Sequence, residues 1–293
     1  MDHEQIKFLL LDPGTFFKKY LVYEISQNAS VDCLTWDSKD KFEQSDLPLL
    51  STATNSQVLL NLLPLIPDSS QFFKESVLRN SGRALKHGLI GTNKLLVHLI
   101  PFSASSTALS YSKGLFSLNS DKELSFHNPI GLEITQQTEK QRPVNILCLS
   151  ITNLIDPNET NPITSFLEEC LRIKKPKISS CDSFYPLSCR LCAKLILRAT
   201  KMCYWNPSLS GFYELGPNGT PEFIEVLRFA LESAKRIRPD LNWAKNFDLK
   251  KSSDNPLIKK PDFLAFQDSF EIILPDWKDC VLETVSGYVS KIL

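Results

Sequence analysis

The sequence predicts an α/β (or α+β) fold with a mixed sheet, a strand-rich N-terminal half and helices concentrated in the C-terminal half. Three observations carry this. Val144–Ile151 (VNILCLSI) is continuously apolar, as a central strand covered on both faces must be. Asn161-Pro162 then opens a helix after a short loop, which makes half of a βα unit. Short β-rich runs fill the first half, whereas helix start and stop signals fill the second.

Ile6–Leu11 (IKFLLL) reads as a strand stopped by the turn Asp12-Pro13-Gly14. Tyr20–Ile25 (YLVYEI) and Val31–Trp36 (VDCLTW) read as two further strands, both rich in β-branched and aromatic residues. Gln57–Ile66 fits a helix or a buried strand and ends at Pro64 and Pro67. Lys94–Ile100 is a strand closed by Pro101. Stretches 103–112 and 118–142 are polar and read as surface loops.

Four helices follow. The first runs from Asn161-Pro162 to Lys175-Pro176, with Ile163, Phe166, Leu167, Cys170 and Leu171 at helical spacing. The second runs from about Pro186 to Tyr204 on the stripe Leu187, Leu191, Leu195, Ala199 and Met202. The third starts at Thr220-Pro221, with Glu222 and Glu225 at its positive end, and stops at Pro239. The last begins near Asp276 and reaches the terminus. Before it, Asp262–Leu274 reads as one strand or a small hairpin. The chain 1–293 reads as one α/β domain. A subdivision into a strand-rich 1–135 and a helix-rich 143–293 would place its junction at 136–142 (QQTEKQR).

Lys and Arg number 33 and Asp and Glu 33, so net charge gives no pull toward nucleic acid or an anionic membrane. The first residues, MDHEQ, are not the basic start of an export signal, and no apolar run nears the ~18–20 residues that span a bilayer. An intracellular protein, cytoplasmic or nuclear, with reduced thiols is the expectation. The three Asn-x-Ser/Thr sequons, at Asn28, Asn158 and Asn218, are then chance matches. Only ten residues are glycine, and neither G-x-G-x-x-G nor a P-loop occurs. This counts against a standard NAD enzyme or P-loop NTPase, and no cofactor or small-molecule ligand is expected.

Cys181, Cys189, Cys192 and Cys203 give C-x7-C-x2-C-x10-C. A C-x2-C pair can grip zinc, but this one lies inside a helical pattern with no second pair, so buried thiols and no metal are expected. Arg190, Lys194, Arg198 and Lys201 share one helix face, and Arg172, Lys174, Lys175 and Lys177 lie just upstream. Between 172 and 201 these eight cations meet one acid, Asp182, whereas residues 1–76 hold eleven acids against six bases. The eight form a candidate partner-binding surface for an acidic protein or, alternatively, nucleic acid.

A strand ending in Asp12-Pro13-Gly14-Thr15, with Lys18 just beyond and another strand after it, resembles the first phosphate loop of the actin-like sugar and acyl kinases. The resemblance implies Asp12 on a water-held Mg²⁺, with Gly14 and Thr15 near phosphate. Resolvases of the RNase H type also carry an acid on their first strand. No second such loop occurs, and Asp-Pro-Gly is also a common plain turn. His3, His87, His98 and His127 show no nucleophile motif around them, and His98 sits in an apolar strand. Gly211–Thr220 delivers a turn onto a helix start, a place able to receive an anion or simply a capped helix. These readings predict no catalytic residue. They point to a non-catalytic subunit, adaptor or assembly factor bound to other protein subunits, with a nucleic-acid-binding subunit or a Mg-dependent phosphotransferase as alternatives.

Overall fold

A computed structural model describes residues 6–12, 14–27, 29–35, 55–62, 93–102, 145–179, 184–250 and 261–292. The expected loops 103–112 and 118–142 and the expected junction 136–142 lie outside them. The chain divides into two compact units. One comprises 1–150 and 196–213, the other 151–195 and 214–293.

The first unit is built on a six-stranded sheet. Its strands are β1 (Lys7–Asp12), β2 (Ser30–Thr35), β3 (Val58–Asn61), β4 (Leu95–Pro101), β5 (Asn145–Ile151) and β9 (Gly211–Leu215), in spatial order β2-β1-β3-β4-β5-β9. The pairs β1–β2, β1–β3 and β3–β4 are parallel. Phe8 to Leu11 are at most 1% exposed and Val58 to Leu60 likewise, which explains their unbroken apolar sequence: both faces of these strands are covered. The order runs outward in opposite directions from β1, to β2 on one side and to β3 on the other. In open parallel sheets such a switch point opens a crevice beyond the carboxyl ends of the strands.

The connection from β1 to β2 is a helix, α1 (Lys18–Ser26), where the sequence reads as a strand at Tyr20–Ile25. Phe17, Leu21 and Ile25 are buried at a spacing of four while Tyr23 is 62% exposed, so the apolar face has helical period. Parallel neighbours need a crossover, and this requirement overrides the β preference of Tyr, Val and Ile.

The second unit holds β6 (Leu154–Ile155), α2 (Pro162–Arg172), β7 (Lys177–Ser179) and β8 (Leu187–Ser188). Beyond β9 it adds α4 (Phe223–Ile237), β10 (Asp248–Lys250), α5 (Leu264–Phe270) and α6 (Trp277–Val289). The long helix α3 (Cys189–Trp205) begins in this unit and ends in the first. Helices α2, α4 and α6 pack on one another. Asn161 caps α2 as the sequence requires, accepting from the Ile163 and Thr164 amides at 3.0 and 3.2 Å.

At 262–274 the expected strand or hairpin is instead α5. Phe266 and Phe270, four apart, are both fully buried. Glu271 in the left-handed region (φ 48°) then ends the helix.

Candidate functional site

Three buried polar residues of the sheet lie on β1, β3 and β4. Asp12 closes β1 and is fully buried, Asn61 closes β3 and is fully buried, and His98 in β4 is 5% exposed. Asn61 and His98 are register partners, and Asn61 Nδ2 donates to His98 Nδ1 at 3.0 Å. That bond leaves the ring proton on Nε2. Burial pulls the His98 pKa down to about 4, so the imidazole is neutral at pH 7. Sequence reading treats His98 as a strand-face residue and misses Asn61. The two polar residues are 37 apart in sequence, and only the β3–β4 register joins them.

The Asp12 carboxylate folds back on its own turn. One oxygen accepts from the Gly14 amide at 3.0 Å. The other accepts from the Thr15 amide at 3.0 Å and the Thr15 hydroxyl at 2.5 Å. Gly14 sits at φ +90°, which a residue with a Cβ adopts at a cost. The turn then enters α1 through bonds from the Lys18 amide to the Thr15 carbonyl and from the Tyr20 amide to the Phe17 carbonyl. Asp12 and Lys18 both act on Cys33. Burial pushes its thiol pKa up, Lys18 pulls it down and Asp12 pushes it up again.

The eight cations of the candidate partner surface do not form one free face. Arg172 pairs with Glu168 at 2.5 Å, Lys175 with Asp248 at 2.8 Å and Arg190 with Glu283 at 3.7 Å. Lys174, Lys194 and Arg198 are exposed and Lys201 is half-buried. Lys177 lies in β7, with its side chain outside the described residues. Cys189, Cys192 and Cys203 are buried, and burial holds the Cys192 thiol well above its ordinary pKa. Cys181, His3, His87 and His127 lie outside the described residues. Among the described residues no cluster of three or more His, Cys, Asp or Glu is set to hold a metal ion. None of the described helices is long and apolar enough to cross a membrane. The possible anion place at 211–220 is closed from within: Glu222 and Glu225 form a capping box on the first turn of α4.

No family model matches the sequence, and no curated protein matches it either. Solved structures do match. UDP-N-acetylglucosamine 4-epimerase from Bacillus cereus aligns over 97% of this chain and 99% of its own, at 15% identity and a TM-score of 0.62. The fold is Rossmann-like. dTDP-4-dehydrorhamnose reductase from Bacillus anthracis, solved with NADP, covers 96% and 98% at 13% identity and a TM-score of 0.59. The Bordetella bronchiseptica enzyme WbmH, solved with NAD+, covers 99% and 100% at 11% identity and a TM-score of 0.62.

These likenesses correct the functional expectation. These three neighbours, alike in fold from end to end, are enzymes, and the readings as a non-catalytic subunit, adaptor or assembly factor are corrected on that finding. The nucleic-acid alternative falls with them, and the Mg-phosphotransferase alternative is corrected by neighbours that are an epimerase and a reductase and by an Asp12 carboxylate engaged by its own turn. The expectation of acidic protein subunits or nucleic acid as partners, with no small-molecule ligand, is likewise corrected, because two of these neighbours hold NADP or NAD+.

The NAD(P) cofactor that the fold implies does not fit the first βα turn in the glycine-loop manner. That loop needs three glycines and unoccupied amides at a helix N-terminus. Residues 12–19 contain one glycine, and the amides of Gly14, Thr15, Lys18 and Tyr20 already have acceptors within the chain.

Proposed function

We propose that this chain is an enzyme acting on a nucleotide-linked sugar, with the ligand seated beyond the carboxyl ends of β3 and β4. The observation that carries the reading is the end-to-end likeness to a UDP-sugar epimerase and a dTDP-sugar reductase. The strand order supports the location, since its switch point lies between β1 and β3. In this reading the neutral His98 donates through Nε2 to a ligand oxygen while Asn61 holds its Nδ1. A place inside the cell, where the thiols stay reduced, belongs to the same proposal.

The test is incubation of the purified protein with UDP-, dTDP- and GDP-linked hexoses, each with and without NAD⁺, NADP⁺ or NADPH. Products are read by anion-exchange chromatography and mass spectrometry. Conversion of one nucleotide sugar, lowered at least tenfold by His98→Gln, is the expected result. Conversion of none sinks the proposal.

A further inference from the structure

We infer that Asp12 is an internal anion standing where a dinucleotide's pyrophosphate would bind, so that this chain does not take NAD(P) at its first βα turn. In Rossmann-like folds the turn after the first strand receives the pyrophosphate because glycines let the backbone approach and free amides point outward. Here the same turn has an anion of its own. The buried carboxylate takes the Gly14 and Thr15 amides and the Thr15 hydroxyl.

Two further features act in the same direction. The N-terminus of α1 is tied by bonds to the Thr15 and Phe17 carbonyls, which removes the Lys18 and Tyr20 amides as donors. Phe17, 1% exposed, stands in the run Asp12-x-Gly14-x-x-Phe17 at the position where the fingerprint has its last glycine. A pyrophosphate brought to this turn would meet a negative charge of like sign and donors already engaged. Asp12 is therefore a specificity-determining residue, and it acts by exclusion. This goes beyond the nucleotide-sugar reading, which concerns the substrate and not the dinucleotide.

The experiment is a fluorescence titration of NADPH against wild type, Asp12→Asn and Asp12→Gly, with circular dichroism as the check on folding. Asp12→Asn is nearly isosteric, removes the charge and keeps one acceptor oxygen, so it carries the test if Asp12→Gly unfolds. Inorganic pyrophosphate serves as a competitor. The inference expects no saturable NADPH binding by wild type and a gain of at least tenfold in affinity in a folded variant, reversed by pyrophosphate. Saturable binding by wild type that pyrophosphate displaces would overturn it. Equally, no gain in either folded variant would overturn the assignment to Asp12. A parallel titration with nucleotide sugars reads the proposed function separately. If no sugar binds yet Asp12→Asn gains NADPH, the ligand class falls and this inference stands.

Discussion

The Asp12 carboxylate and Thr15 are joined twice, through the Thr15 amide at 3.0 Å and its hydroxyl at 2.5 Å, with the Gly14 amide as a third donor. A buried carboxylate left without donors would be costly, and three local donors remove that cost. The turn is thus a closed unit within the chain, and it fixes how β1 passes into α1.

Removing the carboxylate should therefore loosen the turn. Asp12→Ala leaves two amides and a hydroxyl without their acceptor, which costs about 2 kcal/mol of folding stability. Asp12→Asn keeps an acceptor oxygen and should cost about half as much. Urea unfolding curves check this. Equal stability of Asp12→Ala and wild type would show that water replaces the carboxylate.

His98 should make stability depend on pH. Its pKa falls from 6.5 in the unfolded chain to about 4 in the folded one, because burial disfavours the charged ring. Below pH 6.5 the unfolded state then binds more protons than the folded state. The stability is fully present above pH 6.5 and is lost as pH falls toward 4, by about 3 kcal/mol over the window. His98→Gln keeps a partner for Asn61 and should flatten that part of the profile. An unchanged slope in the variant would assign the pH dependence elsewhere.

Two glycines with nearly the same backbone angle should respond differently to alanine. Gly14 at φ +90° has open space where a Cβ would stand, so Gly14→Ala meets only the backbone cost, about 1 kcal/mol. Gly219 at φ +91° would set its Cβ 2.8 Å from Trp277 Cδ1. Gly219→Ala adds overpacking to the same backbone term and should cost about 3 kcal/mol. Paired thermal unfolding decides, and equal losses would contradict the packing around Trp277.

Thiol labelling should be selective. Of the seven described cysteines only Cys33 is exposed. Burial pushes Cys148 and Cys170 up to about 12 and Cys280 up to about 11, so these form little thiolate. Native labelling at mildly alkaline pH, mapped by mass spectrometry, should modify Cys33 well before Cys148, Cys170, Cys189, Cys192, Cys203 or Cys280. Early labelling of Cys192 would contradict its place in the core.

How far the sequence shows all this varies by element. β1 and β5 are legible because a parallel strand covered on both faces has no polar period to hide. α2 is legible through its cap, since Asn161 and Pro162 encode a helix start locally. α1 is not, because Tyr20, Val22 and Ile25 carry β preference and only the burial of Phe17, Leu21 and Ile25 reveals the helical face. α5 misleads in the same way through Phe263, Phe266 and Phe270. The Rossmann-like topology is hidden because its local signal is the glycine fingerprint, and here Asp12 closes the turn without it. Asn61 and His98 are legible singly but not as a pair, since strand register is a property of the sheet.

A ¹H–¹⁵N titration of the labelled protein with the nucleotide-sugar panel locates the ligand directly. Shifts gathered at Leu62 and Phe102, the first described residues beyond the carboxyl ends of β3 and β4, with Gly14 unmoved, are the expected result. No shift with any member of the panel, or shifts confined to α4 and α6, would contradict it.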